Sequence, residues 1–159
     1  MLNGPPMPPG RMEQLATIVA CSHHGFDKCG RPLYIEKTGM IPVDGMLSYF
    51  TDAEMLHAHI WGNEYSAMRA KQGSVRAGKT VDTFASILDL KGLTSSHKKL
   101  LDYAKLMTAV DQDHYPERLG FMCVINCPWY FPVRFGALGI PRIPIADLVT
   151  VLGFRAQIG

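Results

Sequence analysis

The chain has 159 residues, 47% of them hydrophobic, and its 16 basic and 14 acidic side chains leave a net charge of +2. That is enough for one domain around one core, and no basic block or acidic tail marks nucleic acid as a partner. No apolar run reaches the ~18 residues of a membrane span, "LATIVAC" lacks the lead of a signal peptide, and Cys21, Cys29, Cys123 and Cys127 form no disulfide framework, so a reducing cytoplasmic setting is expected.

The opening "MLNGPPMPPG" is dominated by proline and glycine and is expected to lack fixed structure, with one or two helical turns in "RMEQLATIVAC"; residues 1–20 read as an N-terminal segment. "DKCGRP" reads as a turn. "PLYIEK" alternates as a strand, with Leu33 and Ile35 facing one way. "TDAEMLHAHIWGNEYSAMRAKQ" reads as a helix opened by a Thr51–Glu54 capping box and ended by Gly73. "VDTFASILDL" fits either period, but its length and flanking glycines favour a buried strand. "SSHKKLLDYAKLMTAVDQ" reads as a helix capped by Ser95 or Ser96, with Leu100, Tyr103, Ala104, Met107 and Val110 on one face. "YPERLG" turns the chain into a last buried strand, "FMCVIN". Strand, helix, strand in this order predicts parallel pairing and the α/β class.

"GSVRAGKT", Gly73 to Thr80, fits the phosphate-loop pattern at every fixed position. A working phosphate loop leaves a buried strand and enters a helix, so that backbone N–H groups and the helix N-terminus meet the phosphates. Here the preceding "NEYSAMRAKQ" is polar and helix-forming, and Asp89 follows too soon for a helix and a separate strand. The segment therefore reads as a basic loop with Arg76 and Lys79 in solvent. A nucleotide-binding enzyme using Gly78, Lys79 and Thr80 remains the alternative. A non-binding interaction domain is the third reading.

Other reactive residues form no site by spacing. Cys21, His23, His24 and Cys29 match no zinc pattern, and Cys123 and Cys127 would lie ~13 Å apart along one strand. His57 and His59 point in different directions on a helix. Asp111, Asp113, His114 and Glu117 read as a solvated loop, and no G-x-S-x-G elbow is present. No metal and no cofactor is expected.

Three segments in order carry a likeness: "GFDKCGRPLYIEKTG", "SILDLKGL" and "DYAKLMTAVDQDHYPERLGFMCVINCPWYF". Together they resemble the CRAL-TRIO lipid-binding domain family, the family of phosphatidylinositol/phosphatidylcholine transfer proteins. The likeness spans about Gly25 to Phe131, within a partial lipid-binding domain at 21–131. The resemblance implies a mixed, largely parallel sheet flooring an apolar pocket for one phospholipid, which is carried and not altered. It also implies transient peripheral membrane contact by a cytoplasmic monomer. Tyr34, Phe84, Ser86, Tyr103 and Met107 are the implied lining, with Glu117 and Arg118 near the headgroup. Tyr34 and Ser86 match a tyrosine and a hydroxyl residue that surround choline phosphate in a relative. His23 replaces a second tyrosine and Phe84 a second hydroxyl, and a phenyl ring donates no hydrogen bond to phosphate. Glu117 and Arg118 match a pair near an inositol headgroup, or act as an ion pair bracing the turn. The tail at 132–159 departs from the family's pattern.

Overall fold

The computed structural model describes Met7, Pro8, residues 10–126 and Pro128; Cys127 and the divergent tail lie outside the described residues. The framework is a four-stranded sheet in the order β1 (Cys21–Phe26), β2 (Pro32–Glu36), β3 (Phe84–Asp89) and β4 (Leu119–Ile125). β1 pairs antiparallel with β2, and β2, β3 and β4 run parallel. The α/β class and the parallel pairing are as the pattern predicts, and the mixed, largely parallel sheet is as the family resemblance implies. β1 has no apolar alternation to announce it; pairing with β2 and the turn between them hold it in place. In that turn the Asp27 carboxylate is fully covered and accepts from the backbone N–H groups of Cys29 and Arg31 and from Arg31 Nε, at 2.8, 2.9 and 2.6 Å.

Helix α1 (Arg11–Val19) precedes the sheet, α2 (Val43–Tyr49) and α3 (Asp52–Ala77) join β2 to β3, and α4 (Leu100–His114) joins β3 to β4. The short α2 contains Gly45 and has weak local helix signals. It forms because Val43, Met46 and the following Phe50 bury themselves against Leu15, Ile41 and Met55. The Thr51–Glu54 capping box opens α3 as predicted. Arg11 reaches across from α1 to Glu54 at 2.8 Å and stacks over Tyr49 and Phe50, which ties the first helix to the second and third. Before α4 the cap is Thr94, paired with His97, and not Ser95 or Ser96.

Both the basic-loop reading of "GSVRAGKT" and its phosphate-loop alternative are corrected here. α3 does not stop at Gly73 but continues to Ala77, so "GSVRA" is helical and Gly78 is its left-handed C-cap at φ 62°. A helix C-terminus presents carbonyl oxygens, which repel a phosphate. Asp89 is engaged locally, accepting from Lys91 N and Asn126 Nδ2 at 2.9 and 2.7 Å.

Gly73 is inside the helix because of what lies against it. A Cβ there would overlap the Gly30 carbonyl oxygen of the β1–β2 turn. The buried face of α3 is Met55, Asn63, Ser66, Ala70 and Gly73, mostly small residues that let the helix backbone approach the sheet. The opposite side of the sheet carries Leu33, Ala85, Ile87 and Cys123, with Ile35, Phe121 and Ile125 packed on them.

Two glycines of α3 separate local from tertiary effects. Gly73→Ala is expected to destabilise by roughly 1–3 kcal/mol through overpacking, despite alanine's helix propensity. Gly62→Ala, where a Cβ meets nothing within 4 Å, is expected to stabilise by about 0.5–1 kcal/mol. Urea denaturation of both variants checks the opposite signs.

Candidate functional site

The register of the sheet brings the sequence-flagged residues into one row. Tyr34 on β2 lies beside Ser86 on β3, and Ser86 beside Met122 on β4. Phe84 is two residues before Ser86 and so shares its face. His23 on β1 pairs with Tyr34. α3 covers this face: Ser66 Oγ lies 2.8 Å from His23 Nε2. A run of rings leads from the surface to the interior. Half-exposed Trp61 stacks on Tyr65 at 5.1 Å, Tyr65 meets His23 edge-on at 4.9 Å, and His23 packs against Tyr34 at 5.3 Å.

Burial sets the charge states of this row. The His23 imidazole is pushed down to about 4, first by burial and then by the nearby Arg69 cation, so it is neutral at pH 7. Burial raises the Tyr34 phenol well above its ordinary value, with the Glu36 carboxylate and Cys21 adding to the effect. The protonated phenol donates to Glu36 Oε2 at 2.8 Å. The Cys21 thiol is also raised, chiefly by burial, and is therefore a poor nucleophile.

Beside this row a cleft of about 150 Å³ opens between α3 and the start of β3. Its walls are Asn63, Ser66 and Ala67 on α3, Asp82, Thr83 and Phe84 entering β3, and His114, Tyr115 and Arg118 where α4 ends. Polar clamps hold the two helices around it. Asp111 Oδ1 accepts from Asn63 Nδ2 at 2.8 Å and lies 2.6 Å from His59 Nε2. Tyr115 donates to Glu64 at 2.8 Å, and burial followed by that carboxylate pushes its phenol up to about 12. Asp111, Asp113 and His114 are thus part of α4 and not of a loop. Among the described residues no group of three or more His, Cys, Asp or Glu could hold a metal ion.

Arg118 reaches the cleft from a strained turn. Glu117 is exposed and sits in the left-handed region at φ 59°, unusual for a residue other than glycine. Arg118 Nη1 donates to the Asp82 carbonyl at 3.1 Å, and its own carbonyl accepts from Phe84 N at 2.9 Å. Glu117 and Arg118 form no ion pair with each other among the described residues; Arg118 braces the entry to β3 while lining the cleft. Tyr103 and Met107 are placed differently from the Tyr34 row. Tyr103 packs against the Leu15–Met55 cluster, and Met107 is one turn further along α4, half-buried. The sequence reading omitted Asn63, Ser66, Ala67 and Tyr115. The run of small and polar residues on one face of a long helix was the available signal.

Comparison with known proteins gives a consistent result. The family model for the CRAL/TRIO domain matches residues 17–138. The chain is 37% identical over 131 residues to the SEC14 cytosolic factor of Eremothecium gossypii, covering 81% of this chain and 41% of that protein. It is 34% identical over 119 residues to the Sec14 cytosolic factor of Schizosaccharomyces pombe, covering 73% and 41%. It is 34% identical over 107 residues to the phosphatidylinositol/phosphatidylcholine transfer protein SFH12 of Arabidopsis thaliana, covering 65% and 20%. The chain thus spans less than half the length of these curated relatives.

The neutral His23 makes stability pH-dependent with a definite sign. Its folded value lies below the unfolded one, so the unfolded chain binds the proton first as pH falls. The contribution is intact above about pH 6.5 and is lost progressively toward about pH 4. Between pH 6.5 and 5 a loss of roughly 1–2 kcal/mol is expected in urea denaturation, discounted for partial exposure, and His23→Gln is expected to flatten that slope.

Proposed function

Since this chain belongs to the CRAL/TRIO domain family, we propose that it is a phospholipid-binding and transfer module whose ligand is moved and not altered. The observation that carries the proposal is incomplete burial on the cleft side of the sheet. Phe84, Leu88, Met122 and Val124 share the face of Ser86 and are only half-buried. The apolar stripe of α4, Leu100, Tyr103, Met107 and Val110, is also half-buried, and α4 has no fully buried residue. A helix and a sheet that packed to completion would bury these side chains. The unfilled apolar surface suits acyl chains, each CH₂ of which gains ~0.8 kcal/mol on leaving water. A bilayer offers nearly the same environment, so the net free energy of exchange is small.

The polar end of the ligand belongs in the cleft at Arg118, Tyr115 and His114. At about 150 Å³ the cleft suits a headgroup, being smaller than the ~300–1,000 Å³ that encloses a drug-sized molecule. Arg118 offers charge-assisted donors to a phosphodiester. Phe84 supplies no donor where a relative has a hydroxyl, which favours an inositol or other non-choline headgroup. No described helix is long and apolar enough to cross a membrane, and the module is proposed to meet membranes peripherally, as a cytoplasmic monomer.

Native mass spectrometry of purified protein is expected to show one co-purified phospholipid per chain. A folded protein that stays empty after incubation with mixed phospholipid vesicles would overturn the proposal. Arg118→Gln is expected to weaken loading of phosphatidylinositol by roughly tenfold while leaving the bulk fold intact by circular dichroism.

A further inference from the structure

A second basic feature lies away from the cleft, on the outer side of the sheet's edge strand. Arg69 and Arg76, two turns apart on α3, both place their guanidinium carbons over the ring of Phe26 on β1, at 4.6 and 4.9 Å from its centroid. One ring therefore gathers two positive charges. Among the described residues neither arginine forms an ion pair. Arg69 Nη1 donates to Gln72 at 3.2 Å, but Arg69 Nε is covered and has no hydrogen-bond partner. Around these groups is an open groove of about 550 Å³ lined by Gly25, Phe26, Arg69, Gln72, Val75 and Arg76, with no acidic residue in the lining.

Two cations held 4.6 and 4.9 Å from one ring centroid, with no acidic residue in the groove lining, leave a local excess of positive charge that favours an anion. Contact with the Phe26 ring restrains both guanidinium groups, which reduces the ordering cost of binding. We propose that this groove binds a phosphoryl anion, clamped by Arg69 and Arg76 and covered on one side by Phe26. The chemistry fits a phosphate monoester, carried either by an acidic lipid headgroup at a membrane surface or by a soluble phosphate ester. The planar, multiply donating guanidinium matches phosphate oxygens two at a time. The positive field is already felt inside the molecule, where Arg69 helps keep His23 unprotonated. The site is separate from the headgroup cleft, whose cation is Arg118.

Arginine side-chain Nε–Hε resonances of the full chain are titrated with inorganic phosphate, and flotation is measured on phosphatidylcholine vesicles with and without phosphatidic acid. Two arginine resonances are expected to shift saturably with phosphate, with affinity roughly tenfold weaker in Arg76→Gln and unchanged in Arg118→Gln. Arg76 is exposed, so its replacement is expected to leave the circular dichroism spectrum as it is. Flotation that requires phosphatidic acid and Arg76 identifies a lipid headgroup as the source. Phosphate binding without such flotation identifies a soluble ester. The proposal is overturned if neither probe perturbs these resonances, or if Arg76→Gln changes neither response.

Discussion

The close approach of α3 to the β1–β2 turn governs the rest of the molecule. Gly73 in the helix and the Gly30 carbonyl in the turn occupy space that no side chain could share. Asp27 makes that approach possible by holding the turn with three charge-assisted contacts from inside a covered position. With its C-terminal half pinned there, α3 runs back over β1, where Ser66 meets the His23 ring. The helix is 26 residues long, roughly 39 Å at 1.5 Å per residue, so one end can be fixed by a glycine contact while the other packs into the Leu15–Met55 cluster.

That placement divides the molecule's packing in two. On one face Leu33, Ala85, Ile87 and Cys123 are buried, with Ile35, Phe121 and Ile125 half-buried around them. The face under α3 is made of small and polar helix residues against rings and hydroxyls, and it closes incompletely beside β3 and α4. The His59–Asn63–Asp111 and Glu64–Tyr115 contacts hold α4 at a distance from α3 without filling the space between helix and sheet. For the proposed amphiphilic ligand, polar clamps at the rim would fix the opening, and the half-buried apolar residues beside it would gain full burial on occupation.

Charge is distributed to match. In the buried row the His23 imidazole is deprotonated and the Tyr34 phenol is protonated, and the phenol donates to the Glu36 carboxylate at the end of β2. The cations are outside it, Arg118 at the cleft and Arg69 with Arg76 on the far edge of β1. Arg118 in one groove and Arg69 with Arg76 in the other keep the cleft proposed for a headgroup apart from the groove proposed for a second anion.

The sequence alone determined the strands at Leu33, Ser86 and Cys123, the capping box at Thr51, the apolar stripe of α4, and the ordered motifs that carry the family likeness. Each is written in local periodicity or in a short hydrogen-bonding pattern that needs few distant partners. Tertiary structure decided the rest. It ran α3 through Gly73, because the contact that makes this glycine useful is with Gly30, 43 residues away in the chain. It made "CSHHGF" a strand and "VDGMLSY" a helix, since pairing with β2 and burial against Leu15 and Met55 outweigh weak propensities. It placed Asn63, Ser66 and Tyr115 around Arg118, and Arg69 with Arg76 around Phe26. Those meetings are set by the angle at which one helix crosses a sheet, and a linear pattern of apolar residues does not encode that angle.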